Sequence, residues 1–501
     1  MRKKLVLAYV DSLRTDMLAA AVRDGRAPTF GRLLERGVLV PDCVSSFPSV
    51  TPVACAEMVT GVRSDRHWIS GMNWYHRLER RYVEYGSSFE ATRAFGVFRS
   101  LYDLVYNMNL AHLNPRVETV FETLDDRGLR TACTPFLIYR GRHRHAVSLD
   151  GLMRRAVDAT RLKFRHHTYG PTELFYGELY ASRPVPCKPT SIPGTRDEYS
   201  ACCVTELAAG GLYDFLLFSL PDNDHYSHRH GPAATADSIE RADQAFRQFV
   251  DASGGLDGFL ADNALILVAD HAQTAVHRAL PIAEELGETW HVLQPSEDRP
   301  EDAELAVSPT ARAAHVYRLG PADARGHAKL REAVGGMQGV DLVCWLADSD
   351  GRPVDRNLPG ARGDLTAVVE REDQALRFRP GGEVADQRGR RWELDGDPAA
   401  LDAEVEGGRF ASDEYPDALG RLWAALSSPH AGDVVVSAAV GYECVDWGGS
   451  AHVGGGSHGS LGRGDSLGPL LFVGCGPESA GEREQWALGD VADVVRGHFA
   501  A

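Results

Sequence analysis

Two apolar stretches decide the fold: Leu5-Val-Leu-Ala-Tyr-Val-Asp11 and Ala264-Leu-Ile-Leu-Val-Ala-Asp-His271. Unbroken apolar runs of this length are typical of strands that are buried on both faces of a parallel sheet. Similar runs recur at Phe215–Leu220, Val434–Val436 and Leu470–Val473. Between two of the runs, residues 237–250 follow a helical period. The repeat of strand, helix and strand predicts an α/β fold in which a mostly parallel central sheet carries helices on both faces.

Three of the predicted strands are followed by side chains that can bind metals. Asp11 follows Val10, the polar cluster 222–230 follows Leu220, and Asp270 with His271 follows Ala269. In open α/β sheets, ligands bind beyond the carboxyl ends of the strands. We therefore expect these side chains to converge on one edge of the sheet.

The 501 residues are expected to form one core with additions. The core comprises residues 1–284 and 431–501. Within it, residues 65–115 are rich in Arg, Tyr, Trp and Phe and form a candidate lid. Residues 285–430 contain alternating segments and turn signals, which predict an inserted α+β subdomain.

The composition restricts the class of partner. With 53 basic and 70 acidic residues, the net charge of −17 would repel a nucleic acid polymer, but it does not exclude a small anionic substrate such as a phosphorylated one. No stretch approaches about 18 uninterrupted apolar residues, so no membrane span is predicted. Nine cysteines without a C-x-x-C spacing predict reduced core thiols and a cytoplasmic location. No pattern indicates an oligomeric state.

Asp224 and His228 lie four residues apart within Pro221-Asp-Asn-Asp-His-Tyr-Ser-His-Arg-His-Gly-Pro232. A carboxylate and an imidazole in one loop can bind a divalent ion, and this donor pair suits zinc or a neighbour such as manganese. A solvated polar loop explains the same pattern. Asp270 and His271 are likewise either metal ligands or an ordinary strand end, because a strand commonly ends in an Asp turn.

His458 is the one strong metal ligand in Gly454-Gly-Gly-Ser-His-Gly-Ser460. A flexible linker would look similar, but the apolar run that follows favours an ordered loop. In Phe47-Pro-Ser-Val-Thr51-Pro52, Thr51 is the expected N-cap of a helix, with Pro52 at the first helical position. Since N–H groups at a helix start can receive phosphate oxygens, Thr51 is either a cap or a nucleophile that a metal ion activates.

Together these blocks resemble the type I phosphodiesterase and nucleotide pyrophosphatase family, which belongs to the alkaline phosphatase superfamily. The resemblance rests on Phe47–Gly61, on the spacing from Asp224 to Pro232, on Val268–His271 and on Ser457–Gly459, in the family's chain order after the opening Asp11. It covers the core only. The fold it implies is an alkaline phosphatase-like sandwich.

The resemblance implies a hydrolase of phosphate esters with two divalent metal ions, zinc being expected and manganese the alternative. Asp224, His228 and His458 would hold one ion. Asp11, Asp270 and His271 would hold the second, together with the nucleophile Thr51. Asn73 corresponds approximately to the family's phosphate-holding Asn, although its spacing after His67 departs from the family pattern.

The activity implied is that of a phosphodiesterase or nucleotide pyrophosphatase that acts through a phosphothreonine on Thr51. The alternatives are carbon–phosphorus hydrolysis of a phosphonate and phosphomonoesterase activity. A non-catalytic homologue that binds a phosphorylated metabolite is disfavoured, because all the expected ligands and the hydroxyl are present. Four neighbours of the motifs are either supporting residues or ordinary surface and packing residues: His225, His230, Cys55 and Asp465.

Overall fold

The computed structural model describes residues 2–147, 167–297, 299–320, 323–354, 356, 364–477 and 483–500. Its strands in chain order are β1 Lys4–Val10, β2 Val38–Val44, β3 Asn73–His76, β4 Arg81–Glu84, β5 Thr131–Cys133, β6 His143–Ala146, β7 His167–Gly170, β8 Glu173–Tyr176, β9 Tyr180–Ala181, β10 Phe215–Leu220, β11 Asn263–Val268, β12 Thr274–Ala275, β13 Arg278–Leu280, β14 Leu305–Thr310, β15 Ala313–Arg318, β16 Val340–Ala347, β17 Thr366–Arg371, β18 Gln374–Ala385, β19 Arg391–Gly396, β20 Ala403–Glu406, β21 Arg409–Ser412, β22 Val434–Ala438, β23 Tyr442–Cys444, β24 Gly456–Ser457 and β25 Leu467–Val473.

The α-helices span Thr15–Arg23, Pro28–Leu34, Thr51–Thr60, Ser64–His67, Phe89–Phe95, Val97–Tyr102, Val120–Asp126, Arg196–Ala209, Asp222–His230, Ala236–Ala252, Gly255–Asp262, Ile282–Gly287, Ala324–Gly335, Ala418–Ser427, Arg463–Ser466 and Gly489–His498. A π-helix covers Asp103–His112, and 3₁₀ turns cover Pro232–Ala234 and Pro398–Leu401. None of the helices in the described ranges is long and apolar enough to cross a membrane.

The first sheet has eight strands in the order β2, β25, β11, β1, β10, β5, β8, β9. β1 lies near its middle and runs parallel to both β10 and β11. β5 and β8 continue the parallel part, whereas β25 and β9 pair in the antiparallel sense. The mostly parallel central sheet predicted from the apolar runs is therefore confirmed.

Helices cover both faces of this sheet. Side chains alternate along a strand, so Leu5, Leu7 and Tyr9 of β1 pack on one face with the helices Thr51–Thr60 and Gly489–His498. Val6, Ala8 and Val10 pack on the other face with the helices Thr15–Arg23, Arg196–Ala209 and Ala236–Ala252. Burial on both faces is the reason why the strand is apolar at every position.

A second sheet has the order β14, β15, β22, β16, β17, β18, β21, β20, with β19 beside β18. Val434–Val436 belongs to this sheet, where β22 runs antiparallel to β15 and β16. Grouping that run with the parallel strands was wrong, because an apolar run indicates burial on both faces and not strand direction. β14 to β21 lie within the predicted insertion 285–430, and β22 joins them from the later chain.

Cys187 and Cys202 form a disulfide with a Cα–Cα distance of 5.7 Å. The prediction of reduced thiols is wrong for this pair, whose cysteines are 15 positions apart and are brought together by the fold. The other seven cysteines are free, and six of them are buried. For those six, the interpretation as core thiols is confirmed.

Candidate metal centre

The carboxyl ends of β1, β10 and β11 bring the predicted residues to one edge of the first sheet. Val10 lies opposite Leu220 and Tyr9 opposite Val268, so the three strands end at the same level. Asp11 follows immediately, and its N–H donates to the carbonyl of Leu220 at 3.2 Å. The convergence expected from the sequence is therefore observed.

Asp224 and His228 lie on the helix Asp222–His230, and not in a loop as predicted. Residues at positions i and i+4 share one face of a helix, so the helix itself brings the carboxylate and the imidazole together. The segment has almost no apolar residues, so its periodicity gave no sign of a helix.

The first ligand set comprises Asp224, His228 and His458. His228 Nε2 lies 3.4 Å from Asp224 Oδ1 and 3.2 Å from His458 Nε2, and His458 Nε2 lies 3.6 Å from Asp224 Oδ1. The Nδ1 atom of each histidine faces a backbone carbonyl, Gly456 O for His228 at 2.8 Å and Ser49 O for His458 at 2.9 Å. Each ring is thus oriented so that its Nε2 faces the centre of the set.

The second ligand set comprises Asp11, Asp270 and His271. His271 Nε2 lies 3.1 Å from Asp270 Oδ2 and 3.9 Å from Asp11 Oδ1. Thr51 Oγ1 lies 3.3 Å from the same nitrogen. The helix begins at Thr51, with Val50 as its N-cap, so the predicted capping role of Thr51 is off by one residue and its hydroxyl faces the ligand set instead.

The two ligand sets adjoin each other. The rings of His271 and His458 are stacked with centroids 3.7 Å apart. His271 offers a ligand atom within 4.8 Å of those of Asp224 and His458, and likewise of those of Asp11 and Asp270. The six side chains therefore form one continuous cluster beside Thr51.

Burial controls the protonation of the second set. It raises the pKa of Asp11 well above its usual range, with Asp270 and Asp224 adding to the effect, and it raises the pKa of Asp270 to about 7. Burial also lowers the pKa of His271 to about 4. A nearby cation would favour the ionised carboxylates and the neutral imidazole, which are the forms that bind metals.

In the first set, Asp224 controls the protonation of His228. Burial alone would lower the pKa of His228, but the carboxylate of Asp224 outweighs it and raises this pKa to about 9. A proton on His228 thus neutralises Asp224 at the position where the three ligand atoms face one another. A metal ion at that position would displace this proton.

The residues present fit divalent cations. Carboxylate oxygen and imidazole nitrogen are the donors that zinc and manganese accept. Among the described residues, the buried Asp11 Oδ1 has no hydrogen-bond partner, which is costly unless a cation or water satisfies it. The sequence analysis missed two side chains that support the ligands. The hydroxyl of Tyr9 donates to Asp270 Oδ2 at 3.1 Å, and Gln273 Nε2 donates to Asp224 Oδ1 at 2.7 Å.

The loop before Thr51 and the loop that carries His458 are joined at Ser49. Its carbonyl accepts the bond from His458, its N–H donates to the carbonyl of Gly459 at 3.3 Å, and its hydroxyl donates to the carbonyl of Ser460 at 2.9 Å. These contacts fix where the loop before Thr51 lies in space relative to His458.

Asp465, a candidate supporting residue, holds the loop after His458. It forms a fully buried ion pair with Arg312 at 2.6 Å and accepts from the N–H of Ser460 at 2.9 Å. The N–H of Arg312 donates to the carbonyl of His458 at 2.7 Å. Of the other candidates, Cys55 is buried, whereas His225 and His230 are exposed.

Asn73 is buried at the start of β3, where its side-chain amide donates to the carbonyl of Pro309. Its Oδ1 has no hydrogen-bond partner among the described residues. Because the amide donor already has a protein acceptor, the structure adds no support to phosphate binding by Asn73. That role stays a prediction.

Comparisons with known proteins show which family and which folds this chain resembles. The family model described as type I phosphodiesterase / nucleotide pyrophosphatase matches residues 5–460. Among proteins with curated descriptions, none matches the sequence significantly.

Two solved structures of phosphonoacetate hydrolase from Sinorhizobium meliloti 1021, in complex with phosphonoformate and with phosphonoacetate, are similar to this chain at 15% identity and a TM-score of 0.56. Each match covers 99% of this chain and 96% of that one. Murine ectonucleotide pyrophosphatase / phosphodiesterase 5 is similar at 12% identity and a TM-score of 0.56, covering 99% of this chain and 94% of that one. At such identities the likeness shows the fold, and it confirms the alkaline phosphatase-like architecture.

The family match is the stronger finding, because it spans nearly the whole chain from β1 to the His458 loop. It includes both ligand sets and Thr51. The chain therefore belongs to the type I phosphodiesterase / nucleotide pyrophosphatase family and is an enzyme of the phosphoric ester hydrolase class.

Proposed function

We propose that this enzyme is a two-metal phosphodiesterase or nucleotide pyrophosphatase that acts on a small phosphorylated substrate through a phosphothreonine on Thr51. The observation that carries the proposal is the position of Thr51 Oγ1, 3.3 Å from Nε2 of His271, whose ring stacks on that of His458 in the first ligand set. The first ligand set would hold one ion and the second ligand set the other. Zinc is the proposed metal and manganese the alternative, because both accept this mixture of oxygen and nitrogen donors.

The helix start positions the substrate as well as the nucleophile. The N–H groups of Val53 and Ala54 donate to the carbonyl of Val50. The N–H of Thr51 has no acceptor among the described residues, and it lies at the positive end of a ten-residue helix. It is proposed to donate to a non-bridging oxygen of the phosphoryl group.

The reaction proceeds in two displacements. Thr51 Oγ1 forms a bond to phosphorus while the bond from phosphorus to the leaving oxygen breaks, and the hydroxyl proton passes to solvent as the leaving oxygen takes one up. Water then attacks the phosphothreonine, the bond from Oγ1 to phosphorus breaks, and Thr51 recovers its proton. Two inversions give net retention at phosphorus.

The bound ions would lower the pKa of the Thr51 hydroxyl and stabilise charge on the leaving oxygen. The protein's own contribution is placement, since His271 Nε2 contacts Thr51 Oγ1 and the His271 ring stacks on that of His458. Substrate and nucleophile are then held for in-line attack.

The test is a panel of diesters, pyrophosphates, monoesters and phosphonates, assayed with wild type, Thr51→Ala and Thr51→Ser. We expect diesters or pyrophosphates to be cleaved fastest, and Thr51→Ala to keep its metal content while losing at least about a thousandfold in kcat. Thr51→Ser, which keeps a hydroxyl, should retain part of the rate. Full activity of Thr51→Ala would contradict the nucleophile, and faster cleavage of a phosphonate or a monoester would assign the corresponding alternative.

The proposed compartment is the cytoplasm, on the composition of the sequence. The Cys187–Cys202 disulfide is unusual for that compartment, because disulfides persist mainly in oxidising compartments. Alkylation of intact cells with a thiol reagent, followed by fractionation, tests this. A stable Cys187–Cys202 bond in cells would place the enzyme outside the cytoplasm.

A further inference from the structure

Ser12, directly after Asp11, has a backbone that serine rarely adopts. Its φ angle is 57°, in the left-handed region, and its side chain is 2% exposed. Residues other than glycine avoid this region because Cβ crowds the backbone, and such strain is retained mainly where the surroundings require it. The contacts of Ser12 show what it does there.

The backbone and the hydroxyl of Ser12 contact both ligand sets. Its N–H donates to Asp270 Oδ1 at 3.2 Å. Its Oγ lies 2.7 Å from Asp224 Oδ1, 3.1 Å from His271 Nδ1 and 3.2 Å from Gln273 Nε2. One side chain thus joins a ligand of the first set to a ligand of the second.

The hydrogen balance of the hydroxyl determines the direction of each bond. An ionised carboxylate only accepts and an amide nitrogen only donates, so the single hydroxyl proton goes to Asp224 and the oxygen accepts from Gln273. The remaining lone pair accepts from Nδ1–H of His271. The carbonyl of Ala272, 3.2 Å from the same Nδ1, requires the same tautomer.

With its proton on Nδ1, His271 presents the lone pair of Nε2 to Asp270, Asp11 and Thr51. This is the tautomer that a metal ligand needs when Nε2 is the donor atom. Ser12 and the carbonyl of Ala272 together determine how His271 faces the second set, and Ser12 also restrains Asp224 in the first.

We propose that Ser12 is a positioning residue that couples the two cation sites, its hydroxyl orienting Asp224 and His271 together. This inference rests on the proposed two-metal function. The strained backbone is retained because glycine, which fits this φ without strain, has no hydroxyl to make the link. Removal of the hydroxyl should weaken cation binding at both sites.

The test uses the full-length metal-free protein with Ser12→Gly, Ser12→Ala and a matched backbone control, Glu372→Gly. Glu372 also has a left-handed φ, 51°, but lies in an exposed turn between β17 and β18. The measurements are the melting temperature without metal, and the stoichiometry and affinity for Zn²⁺ by chelator competition.

We expect Ser12→Gly to melt at or above the wild-type temperature, because its backbone strain is relieved. Its Zn²⁺ affinity should fall about tenfold or more at both sites, the usual effect of losing a residue that orients metal ligands. Ser12→Ala, which keeps the strain, should lose similar affinity, and Glu372→Gly should bind like wild type.

Wild-type affinity at both sites in Ser12→Gly, or a loss confined to one site, would overturn the coupling role and leave the proposed function intact. A wild-type protein that takes up no divalent ion would overturn the proposed function itself. The two failures are therefore distinguishable.

Discussion

Tyr9 lies beneath the second ligand set, on the face of β1 that packs against the helix Thr51–Thr60. It is buried, and its hydroxyl donates to Asp270 Oδ2. Burial raises the pKa of this phenol, with the charges of Asp11 and Asp270 adding to the effect. The hydroxyl therefore stays protonated and serves as a permanent donor that orients Asp270.

The substitution Tyr9→Phe removes the hydroxyl that donates to Asp270 and keeps the ring. The affinity for one of the two Zn²⁺ ions should fall about tenfold, because Asp270 loses a partner that orients it. Chelator competition measures this, with Tyr169→Phe as the control, since Tyr169 is 46% exposed. Unchanged affinity in Tyr9→Phe would show that Asp270 needs no such support.

Among the elements, the helix Ala418–Ser427 connects the region 285–430 to the site through Arg421. This guanidinium is buried and donates to the carbonyl of Ser46 at 2.9 Å, the carbonyl of Leu461 at 2.8 Å and the hydroxyl of Ser466 at 2.6 Å. Ser46 lies in the loop before Thr51, and Leu461 follows His458. Arg421 thus holds both loops from outside the ligand sets.

We predict that Arg421→Met destabilises the protein by about 3 kcal/mol, because buried carbonyls lose their donors. The loss should appear in urea unfolding of the metal-free protein. Arg32→Met, a substitution on the exposed side of the helix Pro28–Leu34, should change stability by less than about 0.5 kcal/mol. Equal stability of the two variants would show that the contacts of Arg421 with the two loops do not stabilise the fold.

Three histidine rings surround Trp74, which lies in the candidate lid 65–115. The rings of His430, His112 and His76 lie 4.2, 5.1 and 5.3 Å from that of Trp74. Burial, and then the positive charge of Arg81, lowers the pKa of His112 to about 3. His112 is therefore uncharged in the folded protein.

The pH dependence follows from this lowered pKa. His112 in the unfolded chain binds a proton below about pH 6.5, whereas His112 in the folded protein stays neutral down to about pH 3. The stabilising contribution of His112 is therefore fully present above about pH 6.5 and is lost as the pH falls toward about 3. We predict that the melting temperature, followed by tryptophan fluorescence, falls less in His112→Phe than in wild type between about pH 6.5 and about pH 4.5. Parallel falls in both proteins would exclude His112 as the group responsible.

Over the whole molecule, the second sheet extends beyond the end of the predicted insertion 285–430. β22 lies between β15 and β16 although its residues follow the region 285–430. We predict that a chain lacking 285–430 does not fold, because β22 loses both neighbours and the loops at Ser46 and Leu461 lose Arg421. A cooperative thermal transition in that deletion variant would contradict this and would make 285–430 an independent domain.

The sequence predicts the parts of this structure that local pattern determines. The runs ending at Asp11 and Asp270 indicate buried strands, and the position of the carboxyl ends of parallel strands then indicates where the ligands meet. The left-handed backbone of Ser12, the Cys187–Cys202 bond and the loop contacts of Arg421 depend on residues distant in sequence, which no local pattern encodes. The helix Asp222–His230 escaped prediction for a local reason, since it has no apolar stripe.

Two cations are proposed to bind between the six scattered side chains of the two ligand sets. Anomalous diffraction at the zinc absorption edge, from crystals of the full-length protein grown with Zn²⁺, tests it most directly. We expect two peaks, one within about 2.3 Å of ligand atoms of Asp224, His228 and His458 and one within the same distance of Asp11, Asp270 and His271. A single peak, or peaks away from these residues, would contradict it.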